Sequence, residues 1–127
     1  MAHKMNPEVK ALWLKDLRSG EHKQAHGFLN CKTGFCCLGR LTDLYIQNSA
    51  NVEKKNWYPA GCSSHDVMEF DTSTASLPDT VAEWAGLENF HGFGPVLEPV
   101  KGRISLDTMN DGGFSFKEIA DIIEAQL

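Results

Sequence analysis

The chain has 127 residues, 42% of them hydrophobic and 23% charged, a length and balance that suit one globular domain with its own buried core. No apolar run approaches the roughly 20 residues that a membrane-spanning helix needs. A formal net charge of −5 argues against a general nucleic-acid binder, whose phosphate contacts require a basic surface.

Asn6-Pro7-Glu8 reads as a helix start: Asn6 is the N-cap, Pro7 the first helical position and Glu8 the acidic first turn. Val9, Leu12, Trp13 and Leu17 follow at amphipathic spacing, and Gly20 can take a left-handed stop, so the prediction is a helix over 7–19 with Trp13 in the core. Glu21 to Asn30 is polar and not helically periodic. It reads as a loop leading into a strand within 25–31, which turns through Lys32-Thr33-Gly34 into Phe35–Cys36. Lys23, Gln24 and His26 lie in this polar stretch, as site residues or as plain surface.

The densest apolar run, Phe35 to Tyr45, predicts a central helix over 36–48. Cys37, Leu41, Leu44 and Tyr45 fall on one stripe, joined by Leu38, with Arg40, Thr42 and Asp43 assigned to the other side. Gly39 inside a helix costs about 1 kcal/mol relative to Ala, which points to close approach of another backbone. Residues 46–76 carry the weakest pattern. Asn48-Ser49-Ala50-Asn51 ends the helix, Trp57 to Gly61 is a loop with a buried anchor, and Val67 to Phe70 is a short strand.

Leu77-Pro78-Asp79 opens a further helix with Pro78 at its first position; Val81, Trp84 and Ala85 share a face and Gly86 stops it. His91-Gly92-Phe93-Gly94-Pro95 lacks the spacing and the Lys-Ser or Lys-Thr of a phosphate loop and reads as a turn. Leu106 and Met109 suggest one helical turn, and Asn110-Asp111-Gly112-Gly113 a tight reversal. Ser115 and Glu118 then form a capping box with Phe114 and Ile119 as the staple. The last helix spans 116–126, burying Ile119, Ala120, Ile122 and Ile123 and wetting Glu118, Asp121 and Glu124. The fold expected is α+β: about four helices around the central helix 36–48, with a small antiparallel hairpin or sheet from 25–37 and 67–70, in a single domain over 1–127.

Charge is uneven. Residues 1–40 hold seven Lys or Arg against three Asp or Glu, and residues 41–127 hold five against fourteen. The basic first third suits an anionic ligand or acidic partner, although solvated helix faces give the same pattern. Met1 to Lys10 shows no signal-peptide core, so a cytoplasmic protein is expected, with its four cysteines as free thiols.

Three constellations carry potential chemistry. A cysteine at a helix N-terminus favours thiolate, so Cys36 or Cys37 is a candidate nucleophile, with His26, His65 or His91 as base; a small buried apolar residue is the commoner role. Cys31, Cys36, Cys62 and His65 supply four ligand types for tetrahedral zinc, but their spacing lacks two short knuckles. Asn110 and Asp111 before two glycines form a turn signature first and a ligand site second.

Four stretches together resemble a group of small proteins encoded by tailed bacteriophages and prophages. They are Leu12 to Gln24 (LWLKDLRSGEHKQ), Phe35 to Gly39 (FCCLG), Trp84 to Leu87 (WAGL) and Met109 to Asp121 (MNDGGFSFKEIAD). The pattern often has a further cysteine where this chain has Thr42, and Cys31, Cys62 and His65 lie outside it. The resemblance implies expression in a bacterial cytoplasm and an accessory or counter-defence role, and it carries no catalytic residue with it. The expectation is a non-enzymatic accessory protein that binds a host protein or a small anionic ligand such as a signalling nucleotide. It has no general nucleic-acid binding, no membrane association and no assigned cofactor or metal. Its ligand site is expected at Arg18, Lys23, Gln24, Arg40, Asn110 and Asp111. The alternatives are a thiol-dependent enzyme and a small structural zinc protein.

Overall fold

The computed structural model describes residues 5–48, 57–59, 67–70, 73–89, 92, 94–97 and 104–127. Among these lie five helices: α1 (Pro7–Ser19), α2 (Cys37–Asn48), α3 (Asp79–Ala85), α4 (Leu106–Asp111) and α5 (Phe116–Gln126). Short strands accompany them: β1 (Asn30–Cys31), β2 (Gly34–Phe35), β3 (Tyr58–Pro59), β4 (Met68–Glu69), β5 (Val96–Leu97) and β6 (Ile104–Ser105). The first four form an antiparallel sheet in the order β2-β1-β4-β3, and β5 pairs antiparallel with β6. The class is α+β, as the sequence indicated. α2 packs against α1, α3 and α4, and α5 against α1 and α4.

α1 begins at the Asn6 cap, whose side chain accepts from Glu8 N at 2.9 Å, and ends at Gly20 with φ +73°. Val9, Trp13 and Leu17 form its buried seam, i, i+4 and i+8. Leu12, expected on the same stripe, stands at its edge and is 36% exposed. The seam is narrower than the pattern suggested because α5 and α2 cover only one side of the helix. Trp13 is fully buried, and its indole Nε1 donates to the carbonyl of Cys37 at 3.1 Å, satisfying the ring's one donor.

α2 is buried almost all round its first two turns, from Cys37 to Thr42. That corrects the expectation that Arg40 and Thr42 occupy a wet side. Thr42 returns its hydroxyl to the carbonyl of Leu38 at 2.9 Å, and Arg40 is paired as described below. Gly39 faces β1's entry strand so closely that a Cβ there would lie 1.7 Å from the carbonyl oxygen of Leu29. Cys36 occupies the cap position ahead of α2, its Sγ accepting from Gly39 N at 3.3 Å. At the hairpin, Gly34 has φ +142° and leaves room for the Lys23 carbonyl alone.

Pro78 caps α3 rather than opening it, and Gly86 ends it at φ +71°. Trp84 is half-buried and meets Tyr45 edge-on at 5.4 Å, so Ala82 takes its place on the fully buried face. The Ser115–Glu118 capping box is present with both hydrogen bonds, and α5 buries Phe116, Ile119, Ala120 and Ile123 while Ile122 is half-buried. The β5–β6 pair had no local signal. Asn51, the Ser63–Asp66 stretch and Phe93 lie outside the described residues.

Candidate functional site

The loop from His22 to Gly27 has no regular secondary structure; its backbone is bonded to β2 and α4, and its Gln24 side chain to the α4–α5 turn. Ala25 N donates to the Phe35 carbonyl at 2.7 Å, and Phe35 N to the Lys23 carbonyl at 2.9 Å, so residues 23–25 run alongside β2. The remaining ties come from the end of α4. Gln24 Nε2 donates to Asn110 Oδ1 at 2.8 Å and to the Phe114 carbonyl at 2.7 Å. Asn110 Nδ2 donates to the Ala25 carbonyl at 2.8 Å and to Asp111 Oδ1 at 3.2 Å. Gly27 N donates to Asp111 Oδ1 at 2.9 Å. Asn110 Oδ1 also accepts from Cys37 N at 3.1 Å, capping the first turn of α2.

Asn110 is fully buried, and its carboxamide makes two bonds through the oxygen and two through the nitrogen. That is the full capacity of the group, so its burial leaves no polar atom unpaired. α4 presents it because Ser105 caps this short helix and Gly113, at φ +103°, reverses the chain directly afterwards. Lys23 and His26 are exposed, and their side chains have no polar partner among the described residues. His22 is half-buried with its ring edge-on to Phe35 at 5.8 Å.

Arg40 belongs to a different cluster. Its Nε and Nη2 grip Asp16 Oδ2 and Oδ1 at 2.8 and 2.6 Å, and Nη1 donates to Asp43 Oδ2 at 2.9 Å. The guanidinium lies over the Phe35 ring at 4.5 Å and is 1% exposed. Burial works against its charge; the hydrogen bonds and attraction of Asp16 and then Asp43 more than offset that, so its pKa is raised. Asp43 also accepts from Trp57 Nε1 at 3.0 Å and from Gln47 Nε2 at 2.7 Å, and His22 Nε2 lies 3.7 Å from Asp16 Oδ1. The cluster ties α1, α2 and the β3 entry together.

Arg18 is elsewhere again, pairing with Asp121 at 2.8 Å and Glu124 at 3.2 Å on α5. Of the six residues expected to form a ligand site, Lys23, Gln24, Asn110 and Asp111 come together on one loop and its anchor. Arg40 and Arg18 do not join them. All but Lys23 spend polar groups on partners within the fold. Asp16 and Asp43 were not singled out from sequence. Asp43 stands three residues from Arg40 on one helix, a readable pair; Asp16 has no local signal for a partner 24 residues away.

The thiols are poorly placed for chemistry. Cys36 is buried, and burial pushes its pKa up to about 12. Cys37 is fully buried and its pKa is driven well above the ordinary thiol value, chiefly by burial. Thiolate is the nucleophilic form, so at neutral pH neither is activated, because the desolvation outweighs the helix terminus. Cys31 is half-buried, with Sγ 3.2 Å from Thr33 Oγ1. Cys62, His65 and His91 lie outside the described residues, and among the described residues no group of three or more His, Cys, Asp or Glu side chains is arranged to hold a metal. An open groove of about 510 Å³ runs between Ser73–Ser76 and the first turn of α3, remote in sequence from every residue expected in the site.

Fold and site together describe an α+β protein that holds the irregular His22–Gly27 loop on a buried amide anchor. Among the described residues no helix is long and apolar enough to cross a membrane. The chain belongs to the family described as Domain of unknown function (DUF8296), whose model matches residues 5–127. No curated protein and no solved structure matches the chain.

Proposed function

We propose that this is a non-enzymatic accessory protein that captures a host protein or a small anionic ligand, such as a signalling nucleotide, through the His22–Gly27 loop. The observation that carries this reading is the contrast within the loop. Its backbone is tied to β2 and α4 and its Gln24 side chain to the α4–α5 turn, while Lys23 and His26 point to solvent. Binding residues concentrate on loops held by a rigid scaffold. A loop ordered in advance loses little conformational freedom on association, and that saving strengthens binding. An exposed ammonium at its tip suits an anionic partner and steers one from a distance. The likeness to bacteriophage and prophage proteins supports a setting in bacterial cytoplasm and a role against host defence.

The test is native mass spectrometry of protein purified from bacterial cells, run on wild type and on Lys23→Glu. The reading expects a reproducible extra mass or a co-purifying protein that Lys23→Glu loses, at unchanged melting temperature, since an exposed substitution shifts stability by no more than about 0.5 kcal/mol. Equal capture by the variant removes this loop as the site. Fast alkylation of Cys36 or Cys37 at neutral pH would instead favour the thiol-enzyme alternative, and a stoichiometric metal would favour the zinc one.

A further inference from the structure

We infer that Gln24, Asn110 and Asp111 are positioning residues, which set the conformation of the His22–Gly27 loop and so the place of Lys23. The inference rests on the capture reading for its functional meaning, and on the geometry alone for the positioning. The ties follow a pattern along the loop. Position 24 is held by its side chain, position 25 by its carbonyl and position 27 by its amide, each to Asn110, Phe114 or Asp111. Positions 23 and 26 carry the exposed side chains.

Asn110 is fully buried with no bond to spare, and both hydrogens of the Gln24 amide are committed. A residue in that condition can reach a partner only by dissolving the network that orders the loop. The bond to Cys37 N joins α4 to α2, and burial requires partners for the remaining polar atoms of Asn110. Two of those partners, the Gln24 side chain and the Ala25 carbonyl, are taken from the loop, so the same bonds that satisfy Asn110 also fix the loop.

The experiment compares amide hydrogen exchange in the full chain for wild type, Gln24→Met and Asp111→Ala. Gln24→Met keeps the shape of a half-buried side chain and removes both donors. Asp111→Ala is an exposed change that removes the acceptor of Gly27 N and of one Asn110 Nδ2 hydrogen, and both variants leave the buried Asn110 in place, so both are expected to fold. Positioning expects protection of the Ala25 amide to fall at least about tenfold in Gln24→Met, and of the Gly27 amide likewise in Asp111→Ala. Protection in α1, α2 and α5 and the melting temperature stay put. Capture by native mass spectrometry then falls in Gln24→Met although Lys23 is intact. Unchanged exchange in the loop overturns the inference, and so does a fall spread evenly over the helices, which is the mark of a general structural role. Local loosening with full capture overturns the functional half. Lys23→Glu separates the two readings: if it too leaves capture unchanged while Gln24→Met loosens the loop, the capture reading fails and the positioning stands.

Discussion

Arg40 offers the sharpest test of how the helices are held. Its guanidinium is 1% exposed, and the Asp16 and Asp43 side chains that grip it are 11% and 17% exposed. Arg40→Met keeps much of the volume and removes the cation, leaving two carboxylates turned inward without a counter-charge. Breaking a buried pair on one side costs about 3–5 kcal/mol. That is a large share of the roughly 5–15 kcal/mol that stabilises a protein of this kind. With a urea dependence of about 2 kcal/mol per molar, the unfolding midpoint should fall by about 1.5–2.5 M. Neutralising the partners as well, in Asp16→Asn/Arg40→Met/Asp43→Asn, should recover much of the loss, because the stranded charges are gone. Arg40→Lys should recover only part, since an ammonium cannot grip Asp16 with two parallel bonds. The shift should also persist between 0.1 and 1 M sodium chloride, where a surface pair is screened. A loss below about 1 kcal/mol for Arg40→Met, the size of an exposed pair, would refute the sealed cluster. So would a triple variant no more stable than the single one.

Three further outcomes follow from the same packing. Burial raises the Cys36 pKa from an ordinary 9.0 to about 12, so between those values the unfolded chain gives up a proton that the folded chain keeps. This contribution is complete below pH 9 and is lost above it at about 1.4 kcal/mol per pH unit. The advantage of wild type over Cys36→Ala in urea melts should therefore shrink from pH 8 to pH 10, and a constant difference would contradict the burial argument. Gly39→Ala would set a Cβ 1.7 Å from the Leu29 carbonyl, forcing α2 and the β1 entry apart at a cost of about 1–3 kcal/mol or more; a melt within about 0.5 kcal/mol of wild type would show that the two backbones are not so close. Ser115→Ala removes one half of the capping box on α5 and should cost about 0.5–2 kcal/mol, read as a lowered melting temperature that Ser115→Asp largely restores.

The parts of the fold legible in the sequence are those whose signals are local. α1 was bounded by its Asn6 cap and Gly20 stop, and α5 by the Ser115–Glu118 box. The centre of α2 showed in the spacing of Cys37, Leu41, Leu44 and Tyr45. Gly39 was readable as a close approach because an L side chain has no reason to be missing there otherwise, and Gly34 was readable as a turn residue with positive φ. The unreadable features are made across long separations. A sheet from 25–37 and 67–70 was expected and β1 does pair with β4, but β3 on β4 and β5 on β6 pair by backbone bonds that any residue can supply. Arg40 and Thr42 were assigned to solvent by polarity, yet α2 is covered on both sides and each finds an internal partner. Trp84 and Ala82 exchanged burial: the large ring meets Tyr45 while half-exposed at the edge of α3, and the small side chain takes the buried face.

The same limit applies to the candidate site. Residue type picked out Gln24, Arg40, Asn110 and Asp111 because they can donate and accept, and a protein partner satisfies those groups as well as a ligand does. What separates the two uses is saturation, which only geometry reveals. The carboxamide of Asn110 has all four of its bonds inside the fold, and Arg40 is closed between two carboxylates and a ring. Such groups keep one arrangement of the chain in preference to others, a use of buried polarity that depends on complete pairing. A side chain left without a partner on a loop tied at positions 23, 24, 25 and 27 has no comparable work to do within the fold. Lys23 and His26 are in that condition among the described residues, so the proposed capture assigns recognition to them and gives the polar network behind them the part of holding them in position.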